Sequence, residues 1–266
     1  MFESENRGGS ILRSEKYLDT DFQPEKPLGR DTEVQRIVDA VRPVTRRKTP
    51  ENLLVHGPAG VGKTTSVKYV FDRLESKTTS KAVYINCWQY NTRPSLLTEL
   101  LIQLGYPAPR KGKPVDELLS KLSEWLDKNR GIAVALDEFD QLQNQAEVIY
   151  DLQLINEQSD NQLGLIMISN QHPGKIQLDP RSQSRLNCKT LQFKPYNAPQ
   201  LEKILSQRTE QAFHPGTVPS KVIEQISEHV AEHSGDCRKA LQHLLQNARK
   251  AEQQDTNKIQ PDTLNL

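Results

Sequence analysis

The chain has 266 residues, 35% hydrophobic and 26% charged, which is typical of a folded protein with one or two domains and a sizeable core. Its formal net charge of +1 excludes a global attraction to nucleic acid, so any DNA-binding surface must be a local basic patch. The odd number of cysteines, without metal-ligand spacing, argues against a disulfide framework. With no signal sequence and no apolar run of membrane-spanning length, we expect a cytoplasmic protein without membrane contact.

The N-terminal stretch is polar and contains only scattered apolar anchors. Two prolines near its end favour an extended backbone, so residues 1–27 are predicted to form an irregular arm that packs on the main domain. A helix is then predicted from Asp31, as its N-cap, to about Thr45. The basic loop 46–48 that follows is more simply explained as a solvated loop than as a nucleic-acid contact.

The next stretch, 57–64, reads GPAGVGKT and matches the phosphate-binding loop G-x-x-x-x-G-K-[ST]. A short buried strand is predicted before it, over 51–56, and an amphipathic helix after it, which is the order that the motif requires. Lys63 is predicted to reach the β- and γ-phosphates of ATP, and the Thr64 hydroxyl is predicted to hold Mg²⁺.

The glycines of this loop explain how the backbone could approach an anion. Gly57 and Gly62 allow a tight turn that a Cβ would obstruct, whereas Gly60 adds freedom that the motif does not require. The N–H groups at the start of the following helix would face the phosphates. The predicted phosphate-binding set is Gly57, Pro58, Ala59, Gly60, Val61, Gly62, Lys63, Thr64 and Thr65.

Strands and helices alternate after the loop. A proline-rich loop, 107–114, contains Arg110, Lys111 and Lys113, and together with Arg93 it offers a local basic group of side chains. The apolar and polar patterns predict strands over 82–87, 163–170 and 190–193, and helices over 94–105, 115–129, 148–156 and 178–186.

An uninterrupted apolar strand over 132–136 ends in two acids. Such strands are expected when helices cover both faces of a parallel sheet, and ligands bind outside their carboxyl ends. Asp137 is therefore predicted to hold Mg²⁺, and Glu138 to orient and polarise the attacking water. Asn170 ends another predicted strand and could hydrogen-bond a γ-phosphate oxygen, although an isolated Asn there is also a common turn former.

Only helices are predicted from Ala198 onward, over 199–213, 219–233 and 236–253, which marks a domain boundary near Tyr196. Arg238 falls in the first turn of the last helix, where a cation opposes the helix dipole, so an anionic partner is indicated. A surface arginine, or a structural pair with Asp236, is the alternative.

The order of these motifs resembles that of AAA+ ATPases. More closely, the chain resembles archaeal replication initiators of the origin-recognition and cell-division-cycle type. The motif YINC…YNT is the most specific to initiators, and the other motifs are shared across AAA+ proteins. The matching words are PLGR (27–30), GPAGVGKT, YINCWQYNT (84–92), LDEFD (136–140), ISN (168–170), PRSQSRL (180–186), FKPY (193–196) and GDCRKA (235–240).

This resemblance implies an α/β fold, with a parallel five-stranded sheet between helices and a small all-helical lid. The expected domains are the arm 1–27, an ATPase domain over 28–196 and the lid over 197–266. It also implies a C-terminal winged-helix domain, which this sequence does not contain, so weakened DNA binding is expected.

The resemblance also implies roles for single residues. Asn170 looks like sensor 1 and Arg238 like sensor 2, and Arg185, with Arg181 as the alternative, looks like an arginine finger for a neighbouring subunit. Hydrolysis would then be slow and dependent on assembly. Leu28, Gly29 and Arg30 fall where the family seats adenine, and Tyr196 completes the predicted nucleotide set.

The implied partners are double-stranded origin DNA, through residues 88–112, and a replicative helicase or other AAA+ subunits. Two other functions stay open: an ATP switch such as a transposition helper, and a clamp-loader-like subunit that acts on proteins. Glu138 favours hydrolysis over a pure switch. The YINC…YNT motif and the basic loop 107–114 favour DNA over a purely protein partner.

Overall fold

A computed structural model describes residues 11–46, 48–107, 109, 112–129, 131–159, 161, 163–176 and 186–266. The chain divides into two compact units. The first, which we call the sheet unit, contains Arg30–Gly57 and Lys63–Phe193, and the second, the lid unit, contains the described part of Met1–Gly29 with Pro58–Gly62 and Lys194–Leu266.

The sheet unit is organised around one parallel sheet. Among the described residues it has five strands in the order β2-β3-β4-β1-β5, which confirms the predicted parallel five-stranded sheet. β1, β3 and β4 are buried along their whole length, because helices cover both faces of the sheet. The strands are β1 (Leu53–His56), β2 (Lys81–Asn86), β3 (Ile132–Asp137), β4 (Leu163–Ser169) and β5 (Lys189–Gln192).

Strand register gathers the polar strand ends at one edge. Asn86 of β2 lies opposite Asp137 of β3, and His56 of β1 lies opposite Ser169 of β4. The loop after β1 therefore leaves the sheet at the edge where β3 and β4 end, which is where parallel α/β sheets bind ligands.

The helices of the sheet unit follow the predicted pattern, with local differences at their ends. The first begins at Asp31 with Arg30 as its N-cap, and it gives way to a 3₁₀ turn over Arg42–Arg46 because Pro43 has no N–H to continue it. The helices are α1 (Asp31–Val41), α2 (Lys63–Lys77), α3 (Arg93–Gln103), α4 (Val115–Lys128) and α5 (Gln145–Gln158). Of the predicted helix 178–186, only Leu186 lies within the described residues.

The lid unit contains three α-helices in its described residues: α6 (Ala198–Ala212), α7 (Ser220–His233) and α8 (Cys237–Gln253). Asn197 and Gln200 form a reciprocal capping box at the start of α6. Asp236 caps α8 by accepting the N–H of Arg238 at 2.8 Å. No helix in the described part of the chain combines the length and apolarity needed to cross a membrane.

The N-terminal arm packs differently from the prediction. Ile11 and Leu18 are buried in the core of the lid unit, so the expectation that the arm packs on the ATPase domain is wrong. Leu12 forms an antiparallel bridge with Phe213, and Glu252 accepts the backbone N–H groups of Ile11 and Leu12 at 3.1 and 3.3 Å. The apolar anchors of the arm are thus part of a second core.

This packing predicts the effect of removing a buried side chain from the arm. Ile11→Ala should lower the free energy of unfolding of the lid unit by about 3 kcal/mol, because a fully buried side chain leaves a cavity. Hydrogen exchange of the α6–α8 amides measures this change. The control Thr20→Ala, at an exposed position of the same arm, should change it by less than about 0.5 kcal/mol. Equal protection in both variants would contradict the packing.

Candidate functional site

The loop after β1 turns sharply at Gly57. Its φ is +149°, and a Cβ at this position would lie 2.2 Å from the backbone oxygen of Phe193. No side chain can be accommodated so close to a fixed backbone atom, so the first glycine of the loop is required by its contact with the chain just after β5.

Gly60, which the motif does not require, has a structural role in the lid unit. Its φ is +70°, and a Cβ there would lie 1.6 Å from Oδ1 of Asp236. Its backbone oxygen also accepts the N–H of Cys237 at 3.1 Å. The freedom that Gly60 adds beyond the motif is therefore used here, because this glycine lets the loop touch the first residues of α8.

Lys63 and Asn170 lie within hydrogen-bond distance of each other. The Lys63 side chain is only 6% exposed, and its Nζ donates to the Asn170 side-chain oxygen at 2.9 Å and to the Gly57 carbonyl at 2.7 Å. The loop lysine and the end of β4 thus share one location, although 107 residues separate them in the chain.

Thr64 and Asp137 form a second contact at this edge. The Thr64 hydroxyl donates to Oδ2 of Asp137 at 2.7 Å, and the backbone N–H of Glu138 donates to Oδ1 at 2.8 Å. Asp137 is 4% exposed, so these donors replace water as the hydrogen-bond partners of its carboxylate. A hydroxyl and a carboxylate are the hard oxygen groups that Mg²⁺ prefers, and these residues fit a hydrated Mg²⁺ held together with phosphate oxygens.

Tyr84 is a member of this group that the sequence reasoning missed. Its hydroxyl donates to Oδ2 of Asp137 at 2.5 Å. Tyr84 is two residues before Asn86, the register partner of Asp137, so Tyr84 and Asn86 lie on the same face of β2. This spacing, with an aromatic side chain long enough to reach along the sheet, was the available signal.

Burial and the carboxylates at this edge raise the pKa values of two neighbouring groups, the Tyr84 phenol and the Cys87 thiol. Burial, and then the Asp137 carboxylate, raise the pKa of the Tyr84 phenol far above its usual value. Burial, and then the carboxylates of Asp137, Asp140 and Glu138, raise the pKa of Cys87 to about 12. Both groups are therefore protonated at neutral pH, and the Tyr84 hydroxyl is a permanent hydrogen-bond donor.

Glu138 has an unusual backbone. It is half-buried and adopts the left-handed conformation, with φ of 53° and ψ of 43°. A residue other than glycine pays on the order of 1 kcal/mol there, and such strain concentrates at functional positions. In this conformation its backbone N–H donates to Oδ1 of Asp137, the last residue of β3.

Asp140 positions the end of β4. Its Oδ1 accepts the Ser169 hydroxyl at 2.7 Å and the backbone N–H of Asn170 at 3.2 Å. Burial opposes ionisation, but the hydrogen bonds from Ser169, Gln141 and Asn170 outweigh it, and the pKa of Asp140 is lowered. Asp140 belongs to the LDEFD motif, from which only Asp137 and Glu138 were predicted to have a role.

His56 adds a neutral group beside Lys63. It is 7% exposed, and its ring stands edge-on to that of His172, with centroids 5.7 Å apart. Burial, then the proximity of His172 and Lys63, lower the pKa of His56. The imidazole is therefore neutral at pH 7 and adds no charge that would compete with Lys63 for an anion.

The residues predicted to seat adenine fall in both units. In the lid unit, Leu28 is half-buried against the core, and the Gly29 carbonyl accepts a hydrogen bond from Nε2 of Gln200 at 3.1 Å. In the sheet unit, Arg30 is buried, pairs with Glu33 at 3.0 Å and lies over the ring of Phe193.

The remaining predicted nucleotide residues are less informative. Tyr196 is buried in the lid core, and Thr65 is half-buried in the first turn of α2. Arg238 is exposed as the second residue of α8, and its contact with Asp236 is made by its backbone N–H. Arg181 and Arg185 lie outside the described residues.

The predicted basic group is partly neutralised within the sheet unit. Arg93 donates to both carboxylate oxygens of Asp151, at 2.6 and 2.7 Å, and to Glu147 at 3.1 Å. Lys113 pairs with Glu117. Arg110 and Lys111 lie outside the described residues. In the same region Trp88 is 67% exposed, which is unusual for so large an aromatic side chain.

Comparisons with known proteins agree with this architecture. Residues 46–172 match the family model of an AAA domain, and residues 202–265 match that of a Cdc6 AAA+ ATPase-type lid domain. ORC1-type DNA replication proteins of Pyrococcus abyssi and Pyrococcus furiosus are 32% and 34% identical to the chain, of which each alignment covers 97%. The chain spans 65% of the length of these relatives, just under two thirds.

A solved structure is also similar over most of the chain. The Aeropyrum pernix ORC1 protein, determined in complex with DNA, superposes with a TM-score of 0.83 at 29% identity, covering 96% of this chain and 68% of that one. Cdc6p of Pyrobaculum aerophilum, with a TM-score of 0.82 at 22% identity and coverage of 94% and 69%, shows the same fold.

The ion pair of Arg93 predicts a structural cost for its removal. Arg93→Ala should destabilise the sheet unit by roughly 3 kcal/mol, because Asp151, 2% exposed, would be left as an unpaired buried charge. Lys121→Ala removes an exposed pair with Glu124 and should cost less than about 1 kcal/mol. Thermal unfolding of both variants measures the difference, and equal stabilities would show that Arg93 is not a structural residue.

Proposed function

Because the chain belongs to the ORC1-type and Cdc6 family of AAA+ proteins, we propose that it binds and hydrolyses ATP with Mg²⁺ in the initiation of DNA replication. One observation carries this proposal. Lys63 contacts Asn170, and Thr64 contacts Asp137. The first two residues of α2 therefore meet the carboxyl ends of β4 and β3.

Each group has a distinct task in the proposed reaction. Lys63 neutralises charge on the β- and γ-phosphates, and Thr64 and Asp137 hold Mg²⁺, which supplies further positive charge at those oxygens when bound. Glu138 orients and polarises the attacking water, and Asn170 hydrogen-bonds the water or the γ-phosphate. The strained backbone of Glu138 supports a requirement for a defined side-chain position.

The rest of the nucleotide would be recognised by groups outside this cluster. Leu28, Gly29, Arg30 and Tyr196 are proposed to seat the adenine. Arg238 is proposed as the lid cation that senses the γ-phosphate, and Arg185, or alternatively Arg181, as a finger offered to a neighbouring subunit. Turnover by the isolated chain would then be slow, because the finger acts only on assembly.

Double-stranded origin DNA is the proposed nucleic-acid partner, with a replicative helicase or other AAA+ subunits as protein partners. The name of the Pyrococcus relatives and the DNA complex of the Aeropyrum protein support this proposal. The exposed Trp88 lies within the proposed DNA-binding stretch and offers a packing surface.

A second candidate function is an ATPase that acts on protein partners only, as a switch or a clamp-loader-like subunit. The ion pairs of Arg93 and Lys113 favour it, because they reduce the basic surface available to DNA. DNA-binding measurements distinguish the two functions.

The role of Glu138 predicts a separation of binding from hydrolysis. Glu138→Gln should retain ATP affinity and lose turnover by at least about 100-fold, because the amide cannot accept a proton from water. Release of phosphate and binding of a fluorescent ATP analogue measure the two quantities. Glu224→Gln, the same change at an exposed position of α7, serves as the control. Turnover equal to that of the control would remove Glu138 from the mechanism.

The basic loop predicts a change in the salt dependence of DNA binding. Arg110→Ala and Lys111→Ala should each reduce the slope of log affinity against log salt by roughly 1, as expected for a lost phosphate contact. Lys113→Ala is the matched control, because its ammonium already pairs with Glu117 and its loss should leave the slope unchanged. If all three variants keep the parental slope, this loop does not contact DNA.

A further inference from the structure

Tyr84 belongs neither to the phosphate-binding loop nor to the acid pair, yet its hydroxyl donates to the carboxylate of Asp137, the first member of that pair. We propose that Tyr84 is a positioning residue for Mg²⁺, which selects the oxygen of Asp137 that is left free for the hydrated cation. This inference rests on the proposed function, since it assigns a role within the same site.

The hydrogen bonds of Asp137 support this selection. A carboxylate has about four acceptor positions, two on each oxygen. Thr64 and Tyr84 both donate to Oδ2, at 2.7 and 2.5 Å, and Glu138 donates its N–H to Oδ1 at 2.8 Å. Oδ2 is therefore saturated by protein donors, and the remaining acceptor position is on Oδ1.

The phenol is held firmly enough to perform this role. Both backbone polar groups of Tyr84 bond to the side-chain amide of Gln103, at 3.2 and 3.0 Å, which fixes the centre of β2 against α3. The Lys68 ammonium of α2 lies 4.4 Å from the centroid of the Tyr84 ring. The position of the hydroxyl is thus set by three elements of the sheet unit.

Loss of the Tyr84 hydroxyl would free the Asp137 carboxylate to change its orientation, but would not remove a contact to the nucleotide. Asp137 is buried, so water is poorly placed to replace the lost donor, and the carboxylate could rotate to satisfy Oδ2 in another way. Removing an outer partner of a metal ligand typically weakens metal binding by at least about 10-fold. The hydrogen bonds that position Lys63 do not involve Tyr84, so the proposed contact of Lys63 with the phosphates should persist.

The experiment compares Tyr84→Phe with the full parental chain. The substitution keeps the ring under Lys68 and removes only the oxygen. We expect the Mg²⁺ concentration that gives half-maximal binding of a fluorescent, non-hydrolysable ATP analogue to rise by roughly 10-fold. Affinity for the same analogue in EDTA should be unchanged.

Tyr69→Phe provides the matched control. It removes the same atom from α2, where the half-buried ring of Tyr69 lies 5.4 Å from the Arg73 guanidinium. This variant should have the parental Mg²⁺ dependence. In an Asp137→Asn background, Tyr84→Phe should give no further shift, because the two residues act through one carboxylate.

The outcomes separate this inference from the proposed function. If the parental chain binds the analogue without any response to Mg²⁺, the proposed function fails. If the parental chain responds and Tyr84→Phe has the same Mg²⁺ dependence, the positioning role is overturned. It is also overturned if Tyr69→Phe shifts equally, if binding in EDTA weakens as much as binding in Mg²⁺, or if the Tyr84 and Asp137 effects add.

Discussion

The site depends on a buried carboxylate. Asp137 is almost inaccessible to water, and a charge in such a position is stable only when hydrogen-bond donors replace its hydration. The donors come from the first turn of α2, from the middle of β2 and from the backbone after β3. The pairing of β2 with β3 and the seating of α2 must therefore both be correct for the carboxylate to keep its hydrogen-bond donors.

A similar constraint acts on the neighbouring strand. Asp140 follows β3 but its carboxylate holds Ser169 and the backbone of Asn170 at the end of β4. Two acids three residues apart thus organise different parts of the edge: Asp137 lies at the proposed cation site, and Asp140 holds the strand-end amide. The proposed chemistry requires both, because positioned charges act in catalysis without reorganisation.

The lid unit shows how a small core can be built from separated segments. The arm contributes Ile11 and Leu18, and the loop contributes Gly60, whose lack of a side chain leaves room for Asp236. Asp236 also caps α8, so one acid serves the helix and the loop contact together. In the sheet unit, an ion pair likewise has a structural role. Arg93 pairs with Asp151, which reduces the positive charge that the sequence suggested for this surface.

The sequence by itself determined the phosphate-binding loop, the alternation of strands and helices, the apolar strand that ends in Asp137, and the change to helices after Tyr196. Local composition and periodicity encode these features, because neighbouring residues decide whether a segment is a strand, a turn or a helix. Only the tertiary structure decided that Tyr84 reaches Asp137, that Asp140 holds Asn170, that Gly60 adjoins Asp236 and that the arm joins the lid core. These contacts connect residues brought together by strand register and packing, and a linear pattern of side chains does not specify which distant partner a given face will meet.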